Sequence, residues 1–249
     1  MAIYALANQK GGVGKTTTAV NLAACLAEAG ERTLLIDLDP QANATSGLGE
    51  RANGTSSFDL LDGATASELA SRTRFANLEL IPARSDLAGA AADLAHRGSG
   101  ERYLAEALFG VEDEFRFVFL DCPPSLGPLT VNALAAADRV LVPVQAEYYA
   151  LEGVAQILGS IEAVRARLNP RLTIAGLLLT MVDGRTRLAE EVGSELERHF
   201  GPLLFNTRVP RSVRIAEAPS HGLPVIAYDP RSAGADAYWK AAMELVERA

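Results

Sequence analysis

The stretch QKGGVGKTT, residues 9–17, sets three glycines, two lysines and two threonines directly after an apolar run, Ile3 to Ala7. An apolar strand, a glycine-rich turn and a helix start are the setting in which such a loop can hold phosphate. Gly11, Gly12 and Gly14 permit dihedrals and close approaches that a side chain would block. The backbone N–H groups of Gly11, Gly12, Val13, Gly14, Lys15, Thr16 and Thr17 can therefore converge on one concavity. The helix N-terminus adds partial positive charge. Lys15 is then placed to neutralise β- and γ-phosphates, and the Thr16 hydroxyl to ligate magnesium. The ordinary loop, G-x-x-x-x-G-K-[ST], opens on a glycine, whereas this chain has Gln9 there and a second lysine, Lys10, after it.

That departure matters, because KGGVGKTT resembles the deviant Walker A loop of the MinD/ParA group of ATPases. The resemblance implies ATP with Mg2+, and a catalytic role for Lys10 beside Lys15. In that group the early lysine reaches across a nucleotide-sandwich homodimer to the ATP of the other subunit, a cation delivered in trans in the manner of an arginine finger. LLIDLDPQANAT resembles the same group and carries Asp37 and Asp39, two residues apart and on one face if the strand continues through both. Carboxylates close to triphosphate repel it unless metal or water intervenes. By resemblance, Asp39 handles the attacking water and Asp37 supports the magnesium shell. FVFLDCPPS puts Asp121 after an apolar strand, the Walker B position, where a carboxylate holds magnesium directly or through water. Cys122, with no histidine in its motif, reads as packing.

Later segments, VPVQAEYYALEGV, LLLTMVDGRTRLAEEV and VPRSVRIAEAPSHGLPV, resemble the ParA/Soj chromosome-partitioning branch in sequence and order. The branch implies a DNA-segregation ATPase whose ATP dimer binds DNA nonspecifically until hydrolysis, stimulated by a ParB/Spo0J-type centromere-binding partner, releases it. It also implies a cytoplasmic, nucleoid-associated protein. By the same resemblance Pro210 and Ser212 contact the nucleotide, Arg185 and Arg214 contribute to DNA binding, and Arg211 is a third candidate. Arginine–phosphate contacts give affinity without reading bases, and no helix-turn-helix or zinc module accompanies them. Two rivals share the loop. One is a MinD-like membrane-associated positioning ATPase, against which the acidic residues of the last helix count. The other is a metabolic enzyme that uses ATP to drive a ligation or electron transfer.

The elements that must position these residues are legible as short apolar runs alternating with longer helical patterns. IYALAN, RTLLIDLD, LELIPA, FRFVFLDCPPS, RVLVPVQ and LTIAGLLLTMV predict strands, and Thr16 to Ala29 predicts a helix. The alternation predicts an α/β fold: a mostly parallel, twisted sheet with helices on both faces, which the resemblance places among SIMIBI-type P-loop NTPases. Runs apolar throughout, such as Phe117 to Leu120 and Ile174 to Leu179, suit a sheet buried on both sides. Gly49 to Gly63 reads as a surface excursion. Tyr238, Trp239, Ala242, Met243 and Val246 predict a terminal helix docked on the core.

At 249 residues and 49% apolar content the chain suits one domain, residues 1–249, with a well-buried core. Cys25 and Cys122 are far apart and form no C-x-x-C, so neither a disulfide framework nor a zinc site is expected, and a reducing cytosol fits. His96, His199 and His221 have no metal-ligand partners at sensible spacing. The short apolar start lacks a basic leader and no run approaches the roughly 20 residues of a membrane span, so neither export nor membrane insertion is expected. The net charge of −8 argues at first against a nucleic-acid partner. It conceals an asymmetry: residues 160–215 carry nine arginines against six acids.

Overall fold

The apolar runs form strands and the patterned stretches between them form helices. In chain order these are β1 (Ala2–Leu6), α1 (Lys15–Glu28), β2 (Thr33–Asp37), α2 (Asn43–Gly47), α3 (Ser57–Leu61), α4 (Ala66–Leu69), β3 (Ser71–Arg72), β4 (Leu78–Ile81), α5 (Leu87–His96) and α6 (Tyr103–Ala107). There follow β5 (Phe117–Asp121), α7 (Pro128–Ala136), β6 (Arg139–Gln145), α8 (Ala150–Arg167), β7 (Thr173–Val182), α9 (Arg187–Phe200), β8 (Leu204–Pro210), α10 (Val213–Glu217), α11 (Val225–Tyr228) and α12 (Ala233–Glu247). The computed structural model describes residues 1–96, 101–147 and 150–248. Its strands make one sheet in the order β3-β4-β2-β5-β1-β6-β7-β8, parallel except for the β3–β4 pair. This is the α/β architecture the alternation predicts.

Helices cover both faces, which is why β2 and β5 are buried at every residue. On one face Ala19, Leu22, Ala23 and Leu26 of α1 and Ala235, Tyr238, Ala241 and Leu245 of α12 pack on Tyr4, Leu35 and Phe119 of the sheet. On the other, Leu104, Ala133, Leu134, Val154, Ile157 and Ile161 of α6, α7 and α8 pack on Ile36, Val118 and Val142. β1 sits between β5 and β6, so the loop leaving its C-terminal end opens where neighbouring connections diverge, the usual ligand site of such sheets.

Four details differ from the sequence reading. β2 ends at Asp37, and Asp39 belongs to a turn in which its carbonyl accepts the Ala42 N–H at 2.9 Å, so the two carboxylates do not share a strand face. Residues 49–63 are not all surface: α3 carries a capping box, Asp59 accepting the Ser56 N–H at 2.7 Å, and buries Leu60 and Leu61. In α12 Met243 and Val246 are exposed, because the buried stripe runs through Ala235, Tyr238, Ala241, Ala242 and Leu245. β8 was not predicted, since Asn206, Thr207 and Arg208 interrupt its apolar residues.

α12 is fixed to β8 by one carboxylate. Glu244, 9% exposed, accepts the N–H groups of Asn206 at 2.8 Å and Thr207 at 2.9 Å and pairs with Arg248 at 2.9 Å. Burial raises its pKa, but the Thr207 and Asn206 N–H groups outweigh burial and leave it below the ordinary value. A depressed carboxyl stabilises the fold above its unfolded pKa and loses that contribution as pH falls through its folded one. Glu244→Gln is expected to cost about 1–3 kcal/mol at pH 7. Thermal melting from neutral to acid pH checks this, with the gap between variant and wild type closing as pH falls below about 4.

Candidate active site

The loop after β1 is anchored at its entry by Asn8, whose carboxamide donates to the Pro143 carbonyl at 2.8 Å and accepts the Lys10 N–H at 3.0 Å. Gly12 and Gly14 have φ of 74° and 85°, the left-handed region that only glycine enters without strain. With that freedom the chain turns directly into α1. Lys15, 6% exposed, folds back so that its amine donates to the Lys10 carbonyl at 3.2 Å. Burial lowers its pKa, opposed first by the charge of Asp121. Lys10 points elsewhere: its amine meets the Glu147 carboxylate at 2.6 Å, with both side chains about half exposed.

Two carboxylates end adjacent strands, since the register pairs Asp37 of β2 with Asp121 of β5. Both are fully buried. Asp37 accepts the Thr45 N–H at 2.8 Å, the Thr45 hydroxyl at 2.7 Å and the Asp39 N–H at 3.1 Å. Burial nevertheless pushes its carboxyl up to about 6. Neither Asp121 oxygen has a hydrogen-bond partner among the described residues. Burial, and then the charge of Asp37, push that carboxyl well above its ordinary value. A buried carboxylate whose oxygens meet no full hydrogen bond, beside a second one and with the Thr16 side chain and the Lys15 charge acting on it against burial, fits a divalent cation. Asp39, 8% exposed, accepts the Gln41 N–H at 2.9 Å and faces the cavity in front of the pair.

That cavity, about 450 Å³, has three walls. The loop residues Gly11, Gly12, Gly14, Lys15, Thr16 and Thr17 form the first, and Asp39, Gln41, Asn43, Ser46 and Gly47 the second. Met181, Pro219 and Leu223 close the third. The volume suits a small-molecule ligand of nucleotide size. Met181 has φ of 51° at the end of β7, a conformation rare for a side chain of its size. Met181 lies in a segment with a family likeness, but its place on the cavity wall depends on that backbone conformation. Pro219, Leu223 and Glu147 lay in segments whose likeness was recognised but whose individual roles were not.

The AAA domain family matches residues 1–174. The chain is 51% identical to the sporulation initiation inhibitor protein Soj of Bacillus subtilis, over 98% of this chain and 97% of that protein. It is 54% identical to the chromosome-partitioning ATPase Soj of Thermus thermophilus, over 98% of this chain and 95% of that protein. It belongs to the Soj/ParA family of chromosome-partitioning ATPases. Among solved structures it superposes on the cobyrinic acid a,c-diamide synthase of Mycobacterium smegmatis, with an ATP analog and magnesium bound, at a TM-score of 0.86 and 38% identity, over 99% of this chain and 95% of that one.

As a Soj/ParA chain it brings together many of the residues expected from its sequence. The glycine loop, Lys15, Thr16, Thr17 and Asp39 line the cavity, with Asp37 and Asp121 behind. Val13 supports the loop from below, its carbonyl accepting the Thr180 hydroxyl at 2.8 Å. Pro210 and Ser212 are not brought to the cavity lining: Pro210 ends β8 beside α12, and Ser212 is the N-cap of α10. Arg185 forks onto Asp183 at 2.9 and 2.8 Å and holds that carboxyl down to about 2, with Arg211 adding to the effect. Arg214 pairs with Glu217 and Asp229. Cys122 is buried against the Leu120 carbonyl, and burial raises its thiol pKa, as a packing role requires. His199 bonds the Glu195 carbonyl and His221 stacks on Tyr228, while the His96 side chain lies outside the described residues. No helix among the described residues is long and apolar enough to cross a membrane.

Asp121→Asn tests the electrostatics of the pair. A raised carboxyl pKa favours the fold at low pH and costs stability as pH rises through the folded value. The empty variant is expected to be more stable than wild type at pH 7 by about 1–2 kcal/mol, read by thermal melting, with no advantage near pH 4. The same variant loses the extra thermal stabilisation that magnesium gives in the presence of ATP.

Proposed function

We propose that the chain is an ATP-driven DNA-segregation switch, one ATPase domain over residues 1–249, with ATP and magnesium in the cavity. The supporting observation is the opposite placement of two lysines: Lys15 turned inward, and Lys10 turned out to Glu147. The inward lysine serves the subunit's own phosphates. The outward one is held only by a half-exposed ion pair, a weak restraint, and can pass to the phosphates of a facing copy.

Backbone N–H groups of residues 11–17 hold phosphate oxygens and Lys15 neutralises them as charge develops. Thr16, Asp37 and Asp121 are the residues that would hold magnesium, which would supply positive charge to offset that of the phosphates. Asp39 has one oxygen fixed by the Gln41 N–H and uses the other to orient the attacking water. ATP closes the dimer, and the dimer binds DNA without sequence preference through Arg185, Arg211 and Arg214. Hydrolysis, accelerated by a ParB-type centromere-binding partner, reopens it. The nucleotide acts through its differential affinity for the two states.

Lys10→Ala is expected to keep ADP binding within about threefold of wild type and to lose ATP-dependent dimerisation, seen by size-exclusion chromatography with light scattering. Loss of ADP binding as deep as in Lys15→Ala would overturn the role in trans. Asp39→Ala is expected to slow turnover by about 100-fold or more and to accumulate a dimer retained on DNA. If that variant instead pellets with anionic liposomes in ATP and ignores DNA, the membrane-positioning alternative replaces this reading.

A further inference from the structure

Arg214 is occupied. Its guanidinium meets Glu217 at 3.1 Å through Nη1 and Asp229 at 3.2 Å through Nε. The same Glu217 oxygen accepts the Tyr228 hydroxyl at 3.2 Å, and the Tyr228 ring stacks on His221 with centroids 4.9 Å apart. These groups lie on one segment, residues 213–229, which also lends Pro219 and Leu223 to the cavity wall.

One buried side chain fastens that segment to the phosphate loop's helix. Asn21, 4% exposed and itself on the cavity lining, donates through Nδ2 to the Thr17 carbonyl at 2.7 Å and accepts the Val225 N–H through Oδ1 at 2.7 Å. Thr17 lies in the first turn of α1, directly after the glycine loop, and Val225 begins α11, whose last residue is Tyr228. A continuous chain of bonds thus runs from the phosphate loop through Asn21, α11 and Tyr228 to Glu217 and Arg214. Arg185 has no such connection, since its partner Asp183 is two residues away on the same turn.

A guanidinium shared by two carboxylates has much of its charge offset, and a DNA phosphate must displace them before it gains a contact. We propose that Glu217 and Asp229 mask Arg214 when the cavity is empty, and that a bound nucleotide unmasks it through Asn21, the positioning residue that ties nucleotide state to DNA affinity. This rests on the reading of Arg214 as a phosphate contact. Phosphate on the loop acts at Thr17 and the rest of the nucleotide acts at Pro219 and Leu223, so both sides of the Asn21–Val225 bond respond to the occupant. Any shift of α11 carries Tyr228 and Asp229 with it, and these two hold Glu217 and Arg214.

The test is fluorescence anisotropy of a labelled random-sequence duplex with the full chain, empty and with a nonhydrolysable ATP analogue plus magnesium. Glu217→Gln and Asp229→Asn are each expected to raise empty-state affinity about two- to fivefold, with a steeper salt dependence of up to about one unit. Tyr228→Phe shifts it the same way by less. Asn21→Ala, checked by melting and by ADP binding, keeps weak empty-state binding and loses the rise on adding the analogue. Should Asn21→Ala fail to fold, Tyr228→Phe decides, and an unchanged ratio of analogue-state to empty-state affinity overturns the link. Empty-state affinities of Glu217→Gln and Asp229→Asn equal to wild type, with Arg214→Ala still weakening the analogue state, overturn the mask and leave the DNA reading intact. Arg214→Ala without effect in the analogue state removes the DNA reading of Arg214 itself.

Discussion

Two carboxylates out of water, side by side at the ends of β2 and β5, set the terms for the rest of the site. Charge in such a place is tolerated only with dedicated partners. Asp37 obtains them from Thr45, so α2 must sit where its N–H and hydroxyl both reach, and the Thr45 hydroxyl in turn accepts the Ala83 N–H from the loop after β4. One carboxylate thereby fixes α2 and an outer strand connection together. Asp121 receives no such solvation, and its unmet demand is what a cation above it would satisfy. The buried position of Lys15 follows from the same field, with the carboxylate charge offsetting part of its desolvation.

The surface is organised on the opposite principle. Arg165 pairs with Glu162 and Arg198 with Glu195, each within a helical turn, and Arg185 with Asp183 across two residues. Exposed pairs of this kind contribute at most about 1 kcal/mol, so they do little for stability. What they do is hold guanidinium groups at the surface in defined orientations while leaving them open to exchange one anion for another. Lys10 with Glu147 is a further instance, placed beside the cavity.

How far the sequence reached follows the same physics. The loop, α1 and the central strands were legible because continuous apolar runs and glycine spacing report backbone events that are local. Asp39 was misplaced on a strand because Pro40 and the Asp39–Ala42 turn end β2 two residues early. The buried stripe of α12 is built largely from alanines, which carry little hydropathy contrast, whereas the larger Met243 and Val246 dominate the pattern and yet face water. Asn21 was invisible for a different reason. Its partners lie 4 and 204 residues away, and only the packing of α11 against α1 reveals that one carboxamide joins them.

The two borders of the sheet share a property with consequences for crowded conditions. Unpaired strand borders are templates for runaway association between copies. At one border β3 is only two residues long, and at the other Glu244 already claims the Asn206 and Thr207 donors. Copies of the chain can therefore reach high local density without knitting into fibres along these borders.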